Sequence, residues 1–197
     1  YIAGADIQET GMAPTDDGFT LITYGEEEET LDGQTLVSHP ELDYQDLANL
    51  GPEFLAKLQF KAYPSENLRQ LTLIDSPGMI DSASSHQLRS YDFRECVRRF
   101  AESADLVLFF FDPDKPGTTG EAVSIFTRQL VGIDHKLLIV LNKVDLFDNI
   151  RDFARTYGTL CWNLSKTIPT KDTPRIYTTY LPGFATRPLE GNAKPIP

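Results

Sequence analysis

A chain of 197 residues can bury one sizeable core, and 41% hydrophobic with 24% charged residues is the balance of a globular chain, which argues against global disorder. A formal net charge of −11 argues against nucleic acid as a partner, because phosphate contacts need lysine and arginine. It argues equally against this stretch lying on an anionic membrane.

Residues 1–17 are rich in glycine, aspartate and threonine, show no period, and read as a loop. Within it Ala13-Pro14-Thr15-Asp16-Asp17 offers a hydroxyl that can reach Mg²⁺, or forms a plain solvated turn. Phe19–Tyr24 reads as a strand and Glu26-Glu27-Glu28-Glu29 as a solvated acidic loop. Residues 30–56 are polar, with one short helix expected after Pro52. Residues 58–63 alternate with period two, Pro64-Ser65-Glu66-Asn67 follows as a turn, and residues 71–74 form a short apolar run. That succession predicts a hairpin, hence an antiparallel edge on the sheet, with residues 71–74 as a buried strand.

The run ends in Asp75-Ser76-Pro77-Gly78. Open α/β sheets place ligands beyond the carboxyl ends of their strands. An aspartate there can hold a Mg²⁺-bound water, and a glycine three residues on can bring its amide to a terminal phosphate with no side chain in the way. Taken alone, the spacing also fits any turn that ends in glycine.

Residues 79–88 are small and polar and read as a loop that moves. A helix from Phe93 turns Phe93, Val97, Phe100 and Ala101 to one face, with Arg94, Arg98, Arg99 and Glu102 mostly off it. The arginines could include a finger acting in trans, or simply form a solvated face. Residues 106–111 are a fully apolar strand, followed by a helix through Leu130 that Thr118 or Thr119 can cap. A second apolar strand, Leu137–Leu141, ends in Asn142-Lys143-Val144-Asp145. There the Asp145 carboxylate can accept from the N1 and N2 donors of guanine, the Asn142 amide can meet the opposite edge of the base, and the Lys143 stem can lie over the ring. A polar loop whose aspartate caps the next helix fits the same residues. A long helix across about Ile150–Thr167 and a last short strand at residues 174–179 follow. Near-continuous apolar strands alternating with helices predict a mostly parallel sheet covered on both faces. The three histidines, His39, His86 and His135, are scattered and read as surface residues; Cys96 and Cys161 read as reduced thiols in helices. No signal peptide and no apolar run of about 18 residues occurs.

Asp75-x-x-Gly78 followed by Asn142-Lys143-x-Asp145, each at a strand's end, is similar to the third and fourth motifs of a GTPase domain. The resemblance sharpens over Ser90-Tyr91-Asp92-Phe93, Phe100-Ala101, Asp105, Phe111-Asp112-Pro113-Asp114-Lys115 and Tyr157-Gly158-Thr159-Leu160-Cys161-Trp162-Asn163-Leu164-Ser165-Lys166. In order and spacing these resemble the EH-domain-containing ATPases of the dynamin superfamily, over nearly the whole chain.

That resemblance implies a three-layer α/β fold of the P-loop NTPase type, a dynamin-type G domain with an antiparallel edge. It would occupy residues 1–190, followed by a tail at 191–197. It implies nucleotide hydrolysis with Mg²⁺, dimerisation across the nucleotide face, and attachment through a region outside these residues to a helical lipid-binding stalk, hence a cytoplasmic, peripheral membrane setting. Thr15 and Asp75 would serve the metal, Thr15, Asp16, Asp75 and Gly78 the hydrolysis, and Asn142, Lys143 and Asp145 the base. Hydrogen-bond chemistry favours GTP, whereas the EH-domain group is associated with ATP.

Two departures stand out. None of the 13 glycines is followed by lysine, so the phosphate loop Gly-x-x-x-x-Gly-Lys-Ser/Thr is missing; in the family it lies just before the position of Tyr1. This chain by itself is therefore expected to hold nucleotide weakly or not at all, as part of something longer. The family's switch loop resembles Pro-Thr-Thr-Asp, whereas Asp16 replaces the second threonine here and would repel a γ-phosphate. A small regulatory switch and a scaffold that no longer hydrolyses are the alternative readings.

Overall fold

The structure is a computed structural model and describes residues 2–4, 7, 18–79, 89–113, 120–167 and 175–181. The chain divides into two compact units, residues 1–100 and 101–197.

The first unit is built on a four-stranded sheet in the order β2-β3-β1-β4. β1 (Phe19–Tyr24) runs parallel to β3 (Leu58–Tyr63), and Phe19 sits opposite Leu58. β2 (Glu29–Asp32) pairs antiparallel with β3, and β4 (Leu73–Asp75) pairs antiparallel with β1, Thr20 opposite Asp75. The expected hairpin is therefore not formed: β3 and β4 lie on opposite sides of β1. The connection runs through a 3₁₀ turn, Glu66–Leu68, whose Leu68 is buried in a small cluster with Ala3 and Ile22. The expectation of a buried strand at residues 71–74 also needs correction. Leu71 is exposed, Leu73 and Ile74 are half-buried, and β4 is the last strand of its sheet.

Residues 30–56 hold more structure than their polarity suggests. Asp32 caps α1 (Gly33–Ser38) by accepting from the Thr35 amide at 2.8 Å, which keeps its carboxyl below the usual carboxylate range. A 3₁₀ segment (Gln45–Leu50) leads to α2 (Pro52–Leu55), which starts on Gly51 at φ +92 with proline as its first residue. The core of this unit is aromatic. The Phe19 ring lies 5.8 Å from Phe54, 5.8 Å from Phe93 and 5.0 Å from Phe100, and the Phe54 ring 5.7 Å from Tyr91. Phe93 and Phe100 come from α3 (Phe93–Ser103), whose buried stripe includes Cys96 rather than Val97. Burial pushes the Cys96 thiol up to about 12.

The second unit holds a three-stranded parallel sheet in the order β5-β6-β7: β5 (Val107–Phe111), β6 (Leu137–Leu141) and β7 (Ile176–Thr178). Phe109 and Phe111 meet Phe126, at 4.2 and 6.3 Å, from the segment in which α4 (Gly120–Ser124) continues as a π turn, Ile125–Gln129. The long helix α5 runs Ile150–Thr167 as expected and buries Leu160 and Leu164. Within this unit Lys136 donates to the carbonyls of Glu102 and Ala104 at 2.9 and 2.7 Å. β5 is less covered than a fully apolar run suggests: it alternates, and Leu106, Leu108 and Phe110 are exposed. No helix among the described residues is long and apolar enough to cross a membrane.

Candidate functional site

In the second unit, three parallel strands deliver their carboxyl ends to one edge of the sheet, where such sheets bind ligands. β6 leaves Asn142, Lys143 and Asp145 there, β5 leaves Asp112, and β7 leaves Thr179. Backbone bonds lock the three ends: the Asn142 amide donates to the Phe111 carbonyl at 3.0 Å, Thr179 N–H to the Leu141 carbonyl at 2.9 Å, and Val144 N–H to the Thr179 carbonyl at 3.2 Å. The Thr179 hydroxyl donates to Asn142 Oδ1 at 3.0 Å, so the amide's oxygen is spoken for by the protein and its NH₂ end is left to donate outward.

Lys143 adopts the left-handed conformation, φ 57, and its Nζ pairs with Asp112 Oδ2 at 2.7 Å. The ammonium is thereby held while the aliphatic stem stays available as a flat apolar surface. Asp145 follows in a short 3₁₀ turn (Val144–Leu146) and is half-buried; among the described residues no hydrogen bond or ion pair engages its carboxylate. The loop therefore presents an amide donor, a hydrocarbon stem and a spare carboxylate. Asp112 and Thr179 are the positions that motif reasoning missed. Each is a single polar residue just past an apolar strand, and that placement was the available signal.

In the first unit, Asp75 ends β4 opposite Thr20. Asp75, Ser76 and Gly78 are exposed, while Pro77 is buried and anchors the turn. A Cβ built on Gly78 would meet no atom of the described residues within 4 Å. Its carbonyl accepts from Arg89 at 2.7 Å. Thr15 and Asp16 lie outside the described residues, as do Thr118, Thr119 and His86. Of the residues predicted to hold phosphate and metal, Asp75 and Gly78 belong to the first unit, and those predicted to hold the base belong to the second. An open groove of about 460 Å³ is lined by Pro52, Glu53, Tyr91 and Asp92 and includes none of the predicted site residues.

Among the described residues no cluster of three or more histidine, cysteine or acidic groups could hold a metal on its own. Mg²⁺ needs no such cluster, because it keeps several waters and takes one or two protein oxygens beside those of phosphate. The exposed Asp75 carboxylate at a strand's end fits that donor set.

Comparison with known proteins agrees with this architecture. Two solved chains of an oligomerised bacterial dynamin pair, described as a mechanism for the long-range sensing and tethering of membranes, superpose with TM-scores of 0.59 and 0.55. Each is 16% identical and covers 91% of this chain, against 30% and 35% of its own length. The fold is thus the three-layer α/β fold of P-loop NTPases, in its dynamin-type form. The sequence model described as the dynamin family matches residues 1–144. EH domain-containing protein 2 of Arabidopsis thaliana is 33% identical, EH domain-containing protein 1 of the same plant 31%, and EH domain-containing protein 2 of Rattus norvegicus 34%, each over 179 residues and 91% of this chain. The chain belongs to the dynamin family. It spans about a third of the length of these relatives, 32% in each case.

Proposed function

We propose that these residues form the nucleotide-handling part of a dynamin-like hydrolase that cleaves a purine nucleoside triphosphate, GTP in preference to ATP, with Mg²⁺, and couples the cycle to membrane remodelling. The observation that carries this reading is the spare Asp145 carboxylate beside a fixed Asn142 amide at the carboxyl end of β6. Guanine offers the carboxylate two donors and offers an outward NH₂ a 6-oxo acceptor; adenine places a donor where that acceptor would be. In this reading Thr15 and Asp75 hold the metal, which supplies charge neutralisation at the terminal phosphates. The Gly78 amide meets the terminal phosphate, and the Asp16 carboxylate slows turnover by repelling it.

The scaffold reading has one observation in its favour: the 197 residues contain no Gly-x-x-x-x-Gly-Lys-Ser/Thr. We assign that loop to residues of the gene product outside this chain, so the chain alone should bind nucleotide far more weakly than the full-length product. Dimerisation across the nucleotide face and lipid binding through a separate region complete the proposal.

The test is displacement of labelled GTP by unlabelled GTP, ATP and XTP from the full-length gene product and its Asp145→Asn variant. Wild type should prefer GTP. The variant should lose about tenfold or more in GTP affinity, as a matched acceptor becomes a mismatched donor, and gain relative affinity for XTP. Equal competition by ATP in the wild type, or an unaltered preference in the variant, would refute the base assignment.

A further inference from the structure

We infer that Arg89 is a positioning residue for hydrolysis: its buried guanidinium clamps the Gly78 carbonyl and so sets the loop whose amide meets the terminal phosphate. This rests on the function proposed above and extends it to a residue outside the nucleotide motifs.

Arg89 is 8% exposed, rare for a charged side chain, and burial of a guanidinium is tolerated only with partners in place. Two are evident. Its Nη2 donates to the Gly78 carbonyl at 2.7 Å, and its Cζ lies 3.6 Å from the centroid of the Phe93 ring. A guanidinium can do both at once because it is flat and donates within its plane.

The Phe93 ring is itself fixed. It is 4% exposed, opens α3, and sits 5.8 Å from Phe19 in β1. The next residue of β1, Thr20, is the register partner of Asp75. Both ends of the Asp75–Gly78 turn are therefore referred to the same strand, Asp75 through the ladder and Gly78 through Arg89 and Phe93. Among the described residues nothing packs against the α-carbon of Gly78 to do this instead, since a Cβ there would find none of their atoms within 4 Å. Arg89 gives the amide a defined place while leaving the space before it open. Preorganised donors of this kind are effective because they need not reorganise as charge develops.

The Gly78 amide would touch only the terminal phosphate, so a fault in its placement should be felt by a triphosphate and not by a diphosphate. The experiment measures affinity for the diphosphate and for a non-hydrolysable triphosphate with Mg²⁺, together with turnover, in full-length wild type, Arg89→Lys and Arg89→Gln. In Arg89→Gln, diphosphate affinity should stay within about twofold, whereas triphosphate affinity and turnover should each fall about tenfold, the usual effect of losing a charge-assisted hydrogen bond. Arg89→Lys, which can donate but cannot stack flat, should lie between.

A triphosphate-to-diphosphate affinity ratio equal to wild type in both variants overturns the inference. So does a parallel loss of both affinities, which marks a merely structural arginine. Should Arg89→Gln fail to fold, Arg89→Lys decides alone, and its ratio must fall below wild type. A wild type that binds neither nucleotide overturns the proposed function itself and this inference with it.

Discussion

Two glycines, Gly33 and Gly78, separate what the fold needs from what the site needs. Gly33 opens α1, and a Cβ there would come within 2.4 Å of the Leu55 carbonyl oxygen, 2.9 Å of the Leu58 Cβ and 3.0 Å of the Leu55 Cα. Two of these three atoms are backbone, so relief requires α1 to move away from α2 and β3. Overpacking of this kind costs about 1–3 kcal/mol. The gain in helix propensity from glycine to alanine, at most about 1 kcal/mol and less at a helix's first residue, offsets only part of it. Gly33→Ala should therefore lose about 2 kcal/mol and melt about 4–8 °C lower.

Gly78→Ala meets no neighbour within 4 Å among the described residues, so its melting temperature should stay within about 2 °C of wild type. In the full-length gene product, however, the new methyl would occupy the approach to the terminal phosphate, and turnover should fall about a hundredfold, the usual loss when one transition-state donor is displaced. Thermal unfolding by circular dichroism and steady-state phosphate release read the two effects separately. Gly78→Ala turning over at the wild-type rate would refute the phosphate assignment, and Gly33→Ala melting with wild type would refute the packing argument.

Thr179→Val keeps the branched shape but removes the hydroxyl that holds Asn142, and should raise the dissociation constant for GTP about three- to tenfold in titration calorimetry with little change in melting. Asp112→Asn frees the Lys143 ammonium; both partners are partly exposed, so stability should change by less than about 1 kcal/mol in urea titration, while nucleotide affinity falls measurably as the stem loses its anchor. At pH 8 a thiol-reactive reagent followed by mass spectrometry should label the half-buried Cys161 first and Cys96 only on unfolding. The Cys96 thiol is raised from 9.0 to about 12, so it remains neutral in the folded state while the unfolded chain ionises. Its contribution to stability is present below pH 9 and is lost as pH rises from 9 towards 12, and Cys96→Ala should flatten that part of the pH–stability curve.

Much of this structure is legible in the sequence because its elements carry strong local signals. The alternation of residues 58–63 returns as the burial of Leu58, Phe60 and Ala62, and α5 falls on the expected Ile150–Thr167. What was not legible is pairing and edges. Nothing local in Pro64-Ser65-Glu66-Asn67 distinguishes a hairpin turn from a link that passes to the far side of β1. Leu68, buried with Ile22, decides it, and that contact is long-range. β2 escaped notice because an edge strand reading Glu29-Thr30-Leu31-Asp32 exposes most of its side chains and is held by its ladder to β3 rather than by burial. Arg89 was invisible for the opposite reason: an arginine reads as surface until the carbonyl and ring that bury it are seen.

The base loop shows how residues too common to be diagnostic one by one become specific in combination. A loop meets its fully buried polar groups with protein partners, because leaving one unmet costs about 1–3 kcal/mol, whereas a half-buried group can also be met by water. Here the protein meets Asn142 at its oxygen end through Thr179, and Lys143 through Asp112, yet among the described residues it supplies no partner to Asp145. The groups left over are one amide NH₂, one hydrocarbon stem and one carboxylate, all at the end of β6. A helix-capping aspartate would not leave that remainder: α5 takes its first-turn contacts from Asn149, whose Oδ1 accepts from the amides of Arg151 and Asp152 at 3.0 Å each. With capping assigned elsewhere, Asp145 keeps its acceptors open to solvent or to a ligand. In the function proposed above, a flat base with two donors on one edge and an acceptor beside them completes the set.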